Sequence, residues 1–212
     1  MRKLIMKMSM SIDGYVCGPN GELDWMFKTM STSGKKWISK IMENVDVHIM
    51  GSRTFNDMRK YWPYSDDLLA SQMNNIPKIV FSKKGVLNDS STTTAIKDAK
   101  AADADNGLKQ SAQSDHLESW LHPKIATGDL MEEIMKLKQQ PGKDIIAHGG
   151  AGFMNNLVKT GLIDEYYLAV HPAVIGKGLS IFSGLAQPEQ LELVKSTQFE
   201  SGVLGNIYIP NR

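Results

Sequence analysis

The chain of 212 residues holds a single cysteine, Cys17, so no internal disulfide can form. That suits a reducing compartment. No apolar run approaches the roughly 20 residues that span a bilayer. The first ten residues carry Arg2, Lys3 and Lys7 among apolar neighbours and lack the unbroken apolar stretch of a signal peptide. A cytoplasmic location is the expectation. Charge of one sign is also missing. Lys and Arg number 24 against 23 Asp and Glu, for a formal net charge of +1, which gives no global field for nucleic acid or an anionic membrane. Neither GxGxxG, GxxxxGK[ST] nor GxSxG occurs, so the usual dinucleotide, P-loop and hydrolase fingerprints are absent. Five histidines (His48, His116, His122, His148 and His171) lack metal-ligand spacing, and no metal site is expected.

What remains is ordinary soluble composition, 42% hydrophobic and 22% charged, enough for one domain. Alternation in Lys3 to Ser11 predicts a strand with Leu4, Met6, Met8 and Met10 on one face and Ile5 opposite. Turn chemistry follows through Gly21. Ser33 is a candidate cap for a helix carrying Trp37, Ile38, Ile41 and Met42. Further strands are predicted at Val45 to Met50, Lys78 to Phe81, Lys124 to Ala126, Asp144 to Ala147 and Glu165 to Val170. Helices are predicted at Ser52 to Lys60, from Asp129 onward, and at Phe153 to Thr160. Leu191 to Gln198 and Val203 to Ile209 read as an antiparallel pair. This order predicts an α/β fold with a mainly parallel sheet covered on both faces and an antiparallel edge. The whole chain forms one domain in this reading. Residues 88 to 115 are rich in Ser, Thr, Ala, Asp, Lys and Gln and poor in large apolar groups, which predicts a polar surface insertion with some helix around Ala95 to Ala104. A loop of that length is functional or mobile.

In open α/β sheets ligands bind beyond the carboxyl ends of the strands. Those ends carry Gly51-Ser52-Arg53-Thr54, Ser82-Lys83-Lys84, Thr127-Gly128-Asp129 and His148-Gly149-Gly150. The glycine pair either admits a phosphate close to the backbone or simply turns the chain. Arg53 and Thr54 fit a phosphate, or a solvated arginine and a helix start. Ser82 and Lys83 fit a 2′-phosphate, or a solvated basic turn. Asp13 is a candidate proton donor or plain turn chemistry. Trp25 and Phe27 fit stacking on a flat ring, or core packing.

Taken together, Ser11-Ile12-Asp13-Gly14-Tyr15-Val16, Gly18-Pro19-Asn20-Gly21-Glu22-Leu23-Asp24-Trp25, Met50 to Phe55, Lys78 to Ser82, Thr127 to Leu130 and His148 to Phe153 resemble the dihydrofolate reductase-like superfamily. The closer branch is that of the riboflavin-biosynthesis reductase C-terminal domain. The resemblance implies a three-layer fold and an NADPH-dependent reductase that transfers hydride to a small pterin-like or pyrimidine-like substrate. It also implies homodimers. Cofactor contacts implied are Val16, Gly51, Arg53, Thr54, Ser82, Lys83, Thr127, Gly149, Gly150, Ala151, Gly152 and Phe153. Ser11, Trp25 and Phe27 fall on the substrate side, with Asp13 as the catalytic candidate. One departure stands out. Dihydrofolate reductases carry a carboxylate on the first helix, and that place falls near Lys35 and Lys36 here. The alternative reading is therefore a non-catalytic nucleotide- or pterin-binding protein on the same fold.

Overall fold

A computed structural model describes residues 1–85, 93–102 and 118–211. Strand β1 (Leu4–Ser11) leads through two short turns to α1 (Asp24–Phe27) and α2 (Thr32–Met42). β2 (Val45–Gly51) runs into α3 (Ser52–Met58), then a 3-10 turn at Trp62–Tyr64 and α4 (Ala70–Asn75). β3 (Lys78–Phe81), α5 (Thr94–Ala102), α6 (Glu118–Leu121), β4 (Lys124–Ala126) and α7 (Leu130–Gln139) follow. β5 (Asp144–His148), α8 (Ala151–Val158), β6 (Glu165–His171), β7 (Leu191–Gln198) and β8 (Leu204–Pro210) complete the described elements.

The eight strands form one sheet in the order β4-β3-β2-β5-β1-β6-β8-β7. The first six neighbours pair in parallel, and β8 joins β6 and β7 antiparallel. The central strands are buried on both faces, as a parallel sheet requires. Ile145, Ile146 and Ala147 of β5 are all fully buried. Burial of each such isoleucine contributes roughly 1.5–3 kcal/mol. One face (Leu4, Met6, Ile49, Ile145) packs on Ile134 and Leu137 of α7 and Met154 and Leu157 of α8. The opposite face (Ile5, Val45, Ile146) packs on Ile38, Ile41 and Met42 of α2 and on Met73 of α4.

Three sequence expectations are corrected. The cap of α2 is Ser31, whose hydroxyl accepts the Gly34 N–H at 3.2 Å, while Ser33 lies inside the helix. α8 starts at Ala151 rather than Phe153, so the glycine pair abuts the helix directly. The short α1 and α4 have no counterpart in the sequence reading. Of the polar stretch 88 to 115, residues 88–92 and 103–115 lie outside the described residues. Its described part is α5, whose Ile96 is 2% exposed. This helix touches α1 and α3, and the Asp98 carboxylate accepts the Leu23 N–H at 2.7 Å. No helix among the described residues is long and apolar enough to cross a membrane.

Candidate active site

A cleft of about 1110 Å³ opens at the carboxyl ends of β1, β2, β3, β4 and β5 and continues onto the sheet face covered by α2. At the strand ends it is lined by Gly51–Thr54, Phe81–Lys83, Ala126 and Gly149–Phe153. Over the sheet face it is lined by Lys7, Ser9, Met30, Lys35, Ile38 and Asp67. α5 contributes Ala95, Ile96, Ala99 and Ala102 to its wall.

The strand-end region is built to meet an anion. The first backbone bond of α8 runs from the Met154 N–H to the Gly150 carbonyl at 3.0 Å, so the N–H groups of Ala151, Gly152 and Phe153 have no acceptor within the helix. Neither Gly150 nor Gly51, the residues preceding α8 and α3, supplies a side-chain cap. Gly149 has φ +30°, where a side chain is disfavoured. A Cβ on Gly150 would lie 3.0 Å from Thr54 Oγ1, so this turn must be bare for the two strand ends to approach. Gly152 differs. It lines the cleft, and a Cβ there would meet no protein atom within 4 Å. Packing gives no reason for that glycine, whereas a ligand lying against the helix start does. Arg53 is exposed on the rim and has no ion-pair partner among the described residues. The α7 start is different again: the Asp129 carboxylate accepts the Glu132 N–H at 3.1 Å and occupies that end.

The sheet-face region carries buried polar groups. The register sets Lys7 of β1 beside His148 of β5, one residue before the glycine pair. Burial lowers the Lys7 ammonium to about 8. Lys7 has no hydrogen-bond or ion-pair partner among the described residues, and it lines the cleft. His148 is pushed down to about 3 by burial, then by the Lys7 and Lys78 charges, so it is neutral at physiological pH. Its ring stands 4.7 Å from that of His48, whose two ring nitrogens are buried without partners. Ser9 Oγ and His148 Nε2 are also buried and unpartnered. Cleft-lining polar groups in that condition suit a ligand that hydrogen-bonds.

The sequence candidates divide. Val16, Gly51, Arg53, Thr54, Ser82, Lys83, Gly149, Gly150, Ala151, Gly152, Phe153 and Phe27 all line the cleft. Thr127 does not; it is exposed, although Ala126 and Gly128 beside it do line the cleft. Ser11, Asp13 and Trp25 are also absent from the lining. Ser11 is 1% exposed, and its hydroxyl accepts the Tyr15 N–H at 3.1 Å. Asp13 is exposed and accepts the Gly176 N–H at 2.7 Å and the Ile175 N–H at 3.2 Å. Hydrogen bonding from Ser11, then from those backbone groups, holds its carboxyl below the ordinary range. A carboxylate held by two backbone N–H groups of a loop outside the cleft lining fits the turn-chemistry alternative for Asp13. Trp25 meets the His171 ring edge-on at 5.6 Å, and its Nε1 is buried without a partner. Lys7 was missed by the sequence reading. Its signal was its phase, with Ile5 and Ser9 on the second face of β1. Among the described residues no group of three or more His, Cys, Asp and Glu side chains is placed to hold a metal ion.

Comparison with known proteins agrees with this architecture. The sequence matches the RibD C-terminal domain over residues 2–204. It is 28% identical over 207 residues to the uncharacterized protein YyaP of Bacillus subtilis (strain 168), covering 98% of this chain and 94% of that one. Among solved structures it superposes on a protein assigned to riboflavin biosynthesis from Shewanella sp. PV-4 with a TM-score of 0.70, at 21% identity and 99% coverage of both chains. It also superposes on dihydrofolate reductase from Enterococcus faecalis complexed with NADP(H), with a TM-score of 0.58 at 14% identity, covering 99% of this chain and 97% of that one. With its mostly parallel sheet and antiparallel C-terminal strands on a dihydrofolate reductase-like fold, the chain belongs to the RibD C-terminal domain family.

Proposed function

We propose that this protein is an NADPH-dependent reductase of a small pterin-like or pyrimidine-like compound. One juxtaposition carries the reading: an anion-receptive glycine turn at the start of α8 stands directly beside a half-buried lysine with no partner among the described residues, in the same cleft. The family supports a reductase, and the residues present fit the dinucleotide. The free N–H groups of α8 suit the diphosphate. Ser82 and Lys83, at the end of β3, suit the 2′-phosphate that separates NADPH from NADH.

NADPH, when bound, supplies hydride. The chain's own work is to position the substrate, exclude water and provide the matching proton. Met30, Ile38 and Phe27 line the cleft as an apolar bed for a flat ring. Lys7, with an ammonium near 8, holds a proton at Nζ and can release it near neutral pH, where a general acid works well. Its position beside His148 and the glycine turn would let Nζ donate that proton to a substrate held in the sheet-face half of the cleft. His148, kept neutral, adds no second cation beside it.

The test is a titration with NADPH followed by intrinsic tryptophan fluorescence, then a substrate panel followed by loss of NADPH absorbance. Saturable binding with turnover supports the reductase. Binding without turnover across the panel favours the non-catalytic alternative, and no binding of NADPH refutes the reductase.

A further inference from the structure

Helix α5 bridges two lips of the cleft, touching α1 on one side and α3 on the other. Both lips line the cleft, α1 through Met26 and Phe27 and α3 through Arg53, Asp57 and Met58. α5 turns Ala95, Ile96, Ala99 and Ala102 toward the same space. A side-chain hydrogen bond holds it at each lip. The Leu23 N–H, just before α1, donates to Asp98 Oδ2 at 2.7 Å. The Thr93 hydroxyl, just before α5, donates to Asp57 Oδ1 of α3 at 2.7 Å. This attachment differs in kind from that of α2, α7 and α8, which bury several apolar side chains against the sheet. α5 buries only Ile96, and Ile96 belongs to none of the apolar clusters that hold the sheet and its helices together. Among the described residues no backbone hydrogen bond joins α5 to another element. α1 is no firmer an anchor, since none of its residues is buried.

A helix held by few buried contacts and by side-chain bonds lies at the low-stability end of a fold, where local opening costs least. The sheet-anchored walls of the cleft cannot move without exposing the core. We infer that α5 is a strap over the cleft, which lifts to admit a ligand and rests across both lips once the ligand is inside. The inference rests on the reductase reading only for the ligand, NADPH. Asp98 and Thr93 do not line the cleft, so they act on access rather than on contact with what binds there. A strap that is mostly closed slows association in proportion to the fraction of molecules that are open. A fixed wall has no such effect, because loosening it would change how fast the ligand leaves and not how fast it enters.

Two measurements on the full chain test the strap. The first is amide hydrogen exchange of the wild type, with α7 as the control because it is a helix of similar length anchored by Ile134 and Leu137. In the ligand-free protein the α5 amides are expected to exchange at least about tenfold faster than those of α7, and saturating NADPH is expected to slow them. The second is stopped-flow tryptophan fluorescence with NADPH, comparing the wild type with Asp98→Ala. The variant loses the tether at the α1 lip and no atom of the cleft lining. Its association rate constant is expected to rise by about tenfold, the worth of one charged hydrogen bond in the opening equilibrium. An association rate constant within about twofold of wild type overturns the inference. So does an α5 as slow to exchange as α7 in the free protein, or an α5 that bound NADPH does not slow. Should Asp98→Ala fail to fold, the wild-type exchange alone decides. Failure of the wild type to bind NADPH counts instead against the reductase reading, and exchange in the ligand-free protein then decides the strap.

Discussion

Replacing Gly152 with alanine separates ligand binding from folding more cleanly than any other change at the glycine turn. The new methyl would meet no protein atom within 4 Å, so it creates no clash in the folded chain. Gly152 is the second residue of α8, and alanine is a better helix former by up to about 1 kcal/mol. Stability should therefore stay constant or rise, read as the urea midpoint. Binding should move the other way. The methyl occupies cleft space at the helix start and holds a phosphate away from a backbone N–H. One charge-assisted hydrogen bond is worth about 1.5–3 kcal/mol, which corresponds to roughly a 10- to 150-fold loss of NADPH affinity. Fluorescence titration of the folded variant measures it. A dissociation constant within about twofold of wild type, in a protein of undiminished stability, would refute placement of the diphosphate at α8. Gly150→Ala is the useful contrast. Its methyl would press on Thr54 Oγ1 at 3.0 Å, so stability and binding should fall together.

Other outcomes follow from the same geometry. Lys83→Ala should weaken NADPH more than NADH, and the difference should shrink as salt rises, because a rim charge is screened. Turnover should fall as pH rises through about 8, where Lys7 loses its proton, and Lys7→Met should abolish both most of the rate and that limb of the profile. Stability should decline on acidification. The folded pKa of His148 is about 3 and that of His171 about 4, against an ordinary 6.5, so the unfolded chain binds more protons below that value. The stability present above pH 6.5 is lost as pH falls toward those folded values, at about 1.4 kcal/mol per pH unit for each histidine titrating. His48 is also held well below 6.5, chiefly by burial, and His48→Phe should lower the slope by about one proton in urea unfolding. Asp13→Asn should leave NADPH affinity and turnover intact; a large loss of rate without a change in melting would return Asp13 to the chemistry.

The strands of the parallel half were legible because β1, β2, β3 and β5 are apolar runs ended by glycine or serine, whereas their order in the sheet was not read. The rim residues were legible for the same reason, since the ends of such strands converge whatever the loops do. Lys7 was not. Along a strand, Ile5-Lys7-Ser9-Ser11 looks like a solvent face, and only the helix α2 lying across it makes that face interior. Lys35 was noticed as a cation where the superfamily carries a carboxylate, but its partner Asp67 stands 32 residues away and no local pattern links them. α1 and α4, at four and six residues, are shorter than the period needed to see a helical stripe. Ser31 and Ser33 sit two residues apart with the same hydroxyl, so the choice of cap depends on geometry that composition does not carry.

The wall formed by α5 has a consequence for how such a cleft diversifies. Only Ile96 of that helix is deeply buried, yet three of its alanines face the cleft. Among the described residues its tethers include side-chain contacts: Asp98 on the Leu23 N–H, and the Thr93 hydroxyl on Asp57 at 2.7 Å. A segment anchored so lightly is exchangeable. Enlarging Ala95 or Ala99, or grafting another helix that keeps Ile96 and Asp98, would reshape the mouth of the cleft while the sheet and its two packed faces stay as they are. New ligand preferences are therefore open to this scaffold by swapping a border rather than rebuilding an interior.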